Sequence, residues 1–124
     1  MNKTFMLVAA GLGALGVGLG AFGAHGLAAV LEANGRADTF ETATRYLMYH
    51  ALALLILTGL ETKLPVQWLR RAGYLFIAGV IIFSGSLYIL AIFNVRFMGA
   101  VAPIGGTALI VGWICLGIAA WQKR

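Results

Sequence analysis

Residues 42–55 run Thr42-Ala-Thr44-Arg45-Tyr46-Leu-Met-Tyr49-His50-Ala-Leu-Ala-Leu-Leu55, and the apolar character continues to Leu60. An arginine, two tyrosines and a histidine stand at the head of a segment otherwise suited to hydrocarbon. Ionisable side chains are expensive there, so they face a helix bundle or a cavity rather than lipid tails. The composition of the whole chain places this segment in a membrane. Of its 124 residues, 61% are hydrophobic and only 10% are charged, with a mean hydropathy of +0.93. A soluble domain carries about 25% charged residues to coat its surface. This length gives one domain at most, and an integral membrane protein is the class that fits.

Working outward from residues 42–60, three more apolar runs appear, at about 5–24, 72–93 and 98–121. Each reaches or approaches the ~20 residues that cross a ~30 Å hydrocarbon core. None alternates with period two, as a barrel strand would. The expected fold is therefore all-α: a single integral membrane four-helix bundle spanning residues 1–124. The first run is too long for the apolar region of a secretory signal peptide and is expected to be retained. It is also expected to continue helically to Ala33. Its small residues, Gly16-xxx-Gly20-xxx-Ala24 and Ala10-xxx-Ala14-xxx-Gly18, permit close backbone approach between membrane helices. Gly85 and the Gly105-Gly106 pair are read as further packing positions. Asn34-Gly35 is a plausible helix stop, and Thr39 or Thr42 a cap for the second span. Glu41 and Arg45 stand four apart and can pair. Pro65 breaks the 61–71 loop, and Pro103 makes the fourth span begin irregularly or start at the proline itself.

Four spans put both termini and the 61–71 loop on one side. That side holds Lys3, Lys63, Arg70, Arg71, Lys123 and Arg124, whereas Arg36, Arg45 and Arg96 on the other are offset by Glu32, Asp38 and Glu41. By the positive-inside rule both termini face the cytoplasm or its topological equivalent. Trp68 and Trp121 then fall at the cytoplasmic interface. Counting depth at ~1.5 Å per residue, His25, Arg45, Tyr46, Tyr49, His50, Ser84, Ser86 and Tyr88 all fall in the outer half. The sequence thus predicts one polar cluster between helices beneath the outer surface, and a nearly featureless inner half.

The chemistry of this cluster is open. Serine, tyrosine and histidine in a membrane bundle commonly serve as interhelical hydrogen-bonding groups, and arginine at a span end snorkels to water. His25 and His50 could share a haem or metal only if they converge, and no third ligand completes a tighter site. No metal and no cofactor are expected. The spans hold no carboxylate for acid–base work and no nucleophile–base arrangement, so no enzyme is expected either. The net charge of +5 is scattered between apolar spans and does not suggest nucleic acid. Cys115 is a lone apolar-run cysteine. Partners are expected to be the lipid bilayer and a larger membrane complex or a homo-oligomer. Two roles remain: a non-catalytic accessory or assembly subunit, or a small lipid-, quinone- or solute-binding or transport protein using the outer cluster.

The ordered motifs Gly20-Ala-Phe-Gly-Ala-His25-Gly-Leu27, residues 42–54, Phe83-Ser-Gly-Ser-Leu-Tyr88, Pro103-Ile-Gly105-Gly106 and Gly112-Trp113 resemble the domain-of-unknown-function 423 family. Its members are small membrane proteins of bacterial inner membranes, with a eukaryotic relative called transmembrane protein 256. The resemblance covers nearly the whole chain. It implies a small multi-span protein of the cytoplasmic membrane and implies no activity. The family's motif positions carried over here are His25, Arg45, Tyr46, Tyr49, His50, Ser84, Gly85, Ser86, Tyr88 and Pro103, with no departure among them.

Overall fold

The computed structural model describes residues 2–123 as five helices: α1 (Asn2–Ala24), α2 (Ala28–Asn34), α3 (Ala37–Leu60), α4 (Val66–Phe93) and α5 (Met98–Trp121). The four long helices are each long and apolar enough to cross a membrane, and no strand occurs among the described residues. The chain is a helical membrane bundle. Both ends of the described chain and the 61–65 loop lie at one end of it. The short helix α2 closes the other, which is called the α2 end below.

The first helix does not run on to Ala33. It stops at Ala24, and residues 25–27 form a turn in which the Leu27 amide reaches back to Phe22 O at 2.8 Å. That wide bond bypasses the regular ladder and redirects the chain into α2. The Asn34-Gly35 stop is present. Gly35 takes the left-handed conformation (φ 65°), its N–H bonds Glu32 O, and the Arg36 N–H bonds Leu31 O at 2.9 Å. This is the paired closure of a Schellman ending. It turns the chain directly into α3, which therefore starts at Ala37 and not at a threonine cap; Arg36 holds the cap position without a side-chain bond. Asp38 in the first turn complements the positive end of the helix dipole instead.

Helix α4 also begins early. Pro65 occupies the cap position with φ −57°, and the helix carries Trp68, Arg70 and Arg71 rather than leaving them in the loop. The Arg71 guanidinium lies over the Trp68 ring, 4.5 Å from its centroid, a cation–π contact. Helix α5 is continuous from Met98 through Pro103. The proline forfeits only the bond its N–H would make to Gly99 O in the second turn, so the expected irregular start is absent.

Helix α1 packs on α3, α3 on α4, and α4 on α5, the last pair being the most intimate. Glycines decide that intimacy. A Cβ on Gly105 would collide with the Phe83 backbone and lie 2.8 Å from Gly79 O. A Cβ on Gly79 would lie 2.7 Å from a Leu109 methyl, and one on Gly112 would lie 2.7 Å from the Phe76 ring. The obstacle at Gly105 is backbone, which cannot step aside. Gly16 faces the flexible Met48 side chain, Gly20 makes an ordinary 3.7 Å approach to Thr44, and Gly106 lies beside the Phe83 ring. Gly85 has open space where a Cβ would go, so it makes no close helix–helix approach within the bundle. The Ala10-Ala14-Gly18 series is exposed. The main core gathers Phe5, Leu47, Leu54, Leu57, Leu69, Phe76, Val80 and Leu109. Phe5, fully buried, seats its ring on Gly73 of α4 and against Tyr74.

Gly85 on α4 and Gly105 on α5 thus separate cleanly in behaviour. Gly105→Ala is expected to lower stability by about 2 kcal/mol or more, the cost of overpacking against backbone. Gly85→Ala is expected to leave stability unchanged or raise it by about 0.5–1 kcal/mol through helix propensity. Denaturant unfolding of the two variants in mixed micelles measures both.

Candidate functional site

His50 sits near the middle of α3 and is 4% exposed. Its Nδ1 is 2.7 Å from Tyr46 O, one turn back on the same helix, and its Nε2 is 3.0 Å from Trp113 Nε1 on α5. A carbonyl only accepts and an indole N–H only donates. The ring is therefore held as the neutral tautomer with the proton on Nδ1 and the lone pair of Nε2 accepting from Trp113. Aromatic rings close around it: Phe76 of α4 at 5.3 Å, Trp113 at 5.9 Å and Tyr46 at 6.1 Å between centroids. Helices α3 and α5 are thereby tied together across Phe76. Both ring nitrogens are engaged, so no lone pair remains on His50 for an iron or zinc ion.

About 9 Å nearer the α2 end, six residues along α3 at ~1.5 Å each, a second group joins α3 to α4. Thr44 Oγ1 donates to Phe40 O at 3.2 Å, and the Tyr88 hydroxyl lies 2.8 Å from the same Thr44 oxygen, placed to donate to it. The Tyr88 ring meets Phe40 edge-on at 4.9 Å. Ser84, buried, donates to Ala43 O across the same interface at 2.8 Å. Ser86 is also buried but bonds back to Phe83 O on its own helix, at 2.9 Å.

The remaining predicted residues lie elsewhere. Arg45 and Glu41 form the expected pair, Nη2 to Oε1 at 2.6 Å, on the surface. Tyr49 is more than half exposed. Tyr46 leans its ring on Phe83 and serves His50 through its backbone. His25 is exposed in the turn after α1, in a shallow surface hollow with Gly18, Ala21, Phe22 and Gly26. Thirteen residues of α3 separate its end from His50, roughly 20 Å of depth, so the two histidines do not converge. The single cluster expected from depth is thus two separate stations, an exposed ion pair and an isolated turn histidine.

Four contributors were not anticipated. Trp113 completes the His50 station from a segment read as featureless, although an indole N–H in hydrocarbon always calls for an acceptor. Thr44 and Phe76 carry no such signal. Asn34, read only as a helix stop, sends its side-chain N–H groups to Ala91 O and Ile92 O at 3.0 and 3.1 Å, capping the last turn of α4. Among the described residues no buried side-chain nitrogen or oxygen lacks a partner. A groove of about 530 Å³ opens between α1, α2 and α3. Gly20, Gly23, Leu31, Phe40, Thr44 and Met48 line it, and Glu41, Arg45 and Tyr49 stand at its rim.

Comparison with known proteins gives the family. The family model described as protein of unknown function (DUF423) matches residues 19–106. This chain belongs to the DUF423 family. A UPF0382 membrane protein of Staphylococcus aureus is 44% identical over 122 residues, 97% of each chain. The UPF0382 membrane protein YwdK of Bacillus subtilis is 42% identical over 119 residues, covering 95% of this chain and 96% of its own. A UPF0382 membrane protein of Staphylococcus saprophyticus is 45% identical over 123 residues, 97% of this chain and 98% of its own. No solved structure matches. The chain is a multi-pass bacterial membrane protein of the DUF423 family, a family without an established function.

Removing the Trp113 donor leaves a buried acceptor on His50. Trp113→Phe is expected to destabilise by about 1–2 kcal/mol, and by clearly less when His50 is already Phe. A double-mutant cycle on micelle unfolding should give a coupling near 1 kcal/mol. Zero coupling would mean that the two rings merely touch.

Proposed function

We propose that this DUF423 protein is a non-catalytic membrane subunit that works by lateral association, as an accessory or assembly component of a larger membrane complex. The observation that carries this reading is the state of α1. It meets the bundle along one side, chiefly on α3. The opposite side, with Leu7, Ala10, Ala14 and Gly18, is exposed, and a Cβ added at Gly11 or Gly18 would meet nothing. Small residues on a bare membrane helix allow a second helix to approach closely. Two further features support the reading. The polar groups inside the bundle are consumed by one another, which favours a rigid part over a reacting one. The links at 25–27, 35–36, 61–65 and 94–97 are short, so binding surface lies mainly in the membrane plane. The basic residues at the end opposite α2 favour a cytoplasmic location for both termini.

Ala14→Leu and Gly18→Leu place bulk on that bare face without touching α3. In cells making the tagged chain at native level, in-membrane crosslinking is expected to trap a discrete species larger than the monomer. Both variants should lose it while accumulating normally. Crosslinking of two differently tagged copies separates self-association from a foreign partner. A crosslinking pattern indifferent to both substitutions rejects the proposal. Topology is checked separately: a reporter fused after residue 124 should be active only in its cytoplasmic form.

A further inference from the structure

The groove between α1, α2 and α3 lies on the other side of α1 from the bare face. We infer that it is a binding site for one phospholipid with a zwitterionic, primary-ammonium headgroup, of the phosphatidylethanolamine class. Its volume of about 530 Å³ falls within the usual range of small-molecule sites. Its walls are mostly apolar and shaped by small residues: Gly20 and Gly23 on α1 stand against Thr44 and Phe40 on α3, and Met48 and Leu31 complete the lining. A slot of this kind, open sideways among membrane helices, takes an acyl chain.

The rim selects the headgroup. Arg45 and Glu41 stand side by side with one contact, Nη2 to Oε1 at 2.6 Å, and each side chain is more than half exposed, 57% and 58%. That single contact leaves most of the five guanidinium N–H donors free, together with the second carboxylate oxygen. The pair therefore offers a cation and an anion at adjacent points where α3 leaves the apolar zone. A phosphate joined by two carbons to an ammonium presents the reverse order of charges at matching spacing. The phosphate would take N–H donors from Arg45, as guanidinium–phosphate pairs do, and the ammonium would donate to Glu41.

The charge around the rim disfavours an anionic lipid. At the α2 end Arg36, Arg45 and Arg96 are matched by Glu32, Asp38 and Glu41, so there is no net positive field to hold one. A choline headgroup has the right charges but no N–H to donate to the carboxylate. Primary-ammonium selectivity is thus the signature that separates a site from the ordinary lipid annulus.

Native mass spectrometry of the full chain tests this directly. Phosphatidylethanolamine, phosphatidylcholine and phosphatidylglycerol with identical acyl chains are added in equal amounts. The wild type is expected to hold one phosphatidylethanolamine about tenfold more than either competitor, the ratio that ~1.4 kcal/mol of selective binding produces. Glu41→Gln should abolish the preference over phosphatidylglycerol, and Arg45→Gln should weaken all three. Both residues are exposed, so neither change threatens the fold. Ala24→Leu, which adds bulk at the groove wall, should reduce occupancy without altering headgroup order. Equal adducts of the three lipids on the wild type, an unchanged preference in Glu41→Gln, or undiminished binding in Arg45→Gln overturns the proposal and leaves annular lipid only. Either result is independent of what binds the bare face of α1.

Discussion

Gly105 lets the backbone of α5 lie directly against that of α4, and the rest of the bundle depends on that closeness. The approach occurs where a side chain on either helix would strike main-chain atoms. Lipid tails give apolar side chains no reason to prefer each other, so helices in a membrane gain most by packing backbone on backbone. With α5 held so near, Trp113 reaches past Phe76 to His50 on α3. The bond between His50 and Trp113 then does in the bilayer what a hydrophobic core does in water: it makes one arrangement of three helices better than its neighbours. In hydrocarbon the indole hydrogen and the imidazole lone pair have nowhere else to go.

Much of the architecture was legible in the sequence because the membrane makes crude demands. Four apolar runs of the right length leave little choice of fold, and the fourth was bounded at Met98 and Trp121 as observed. Errors fell where apolarity ends before the helix does. Asp38, Thr39 and Glu41, and Gln67, Arg70 and Arg71, interrupt the apolar runs at 37–41 and 66–71, yet a helix costs little to extend into the interface once it is nucleated by its membrane part. The stop at Gly35 was readable since only a residue tolerant of positive φ fits there.

The site was harder to read for a geometric reason. Depth along a helix can be counted, but rotation about it and the neighbour it faces cannot. Arg45, Tyr49 and His50 are close in sequence, yet His50 points into the bundle while the others point away. Ser84 and Ser86 share a short stretch of α4, and one bonds across to α3 while the other bonds to its own helix. Trp113 was overlooked because its neighbours are uniformly apolar, although its own donor was the clue. Tyr49 and the Arg45–Glu41 pair belong to a groove rather than to the histidine.

The α1–α2 segment is fastened to α4 at its two extremities. Phe5 sits on Gly73 near the start, and at the end Asn34 of α2 clasps the last carbonyls of α4. Both anchors lie on a helix that leaves the ribosome some sixty residues after α1 begins. During synthesis, therefore, α1 enters the bilayer with neither fastening available, and α3 is the first surface it can lean on. Until α4 has been made, the N-terminal helix is therefore held by α3 alone.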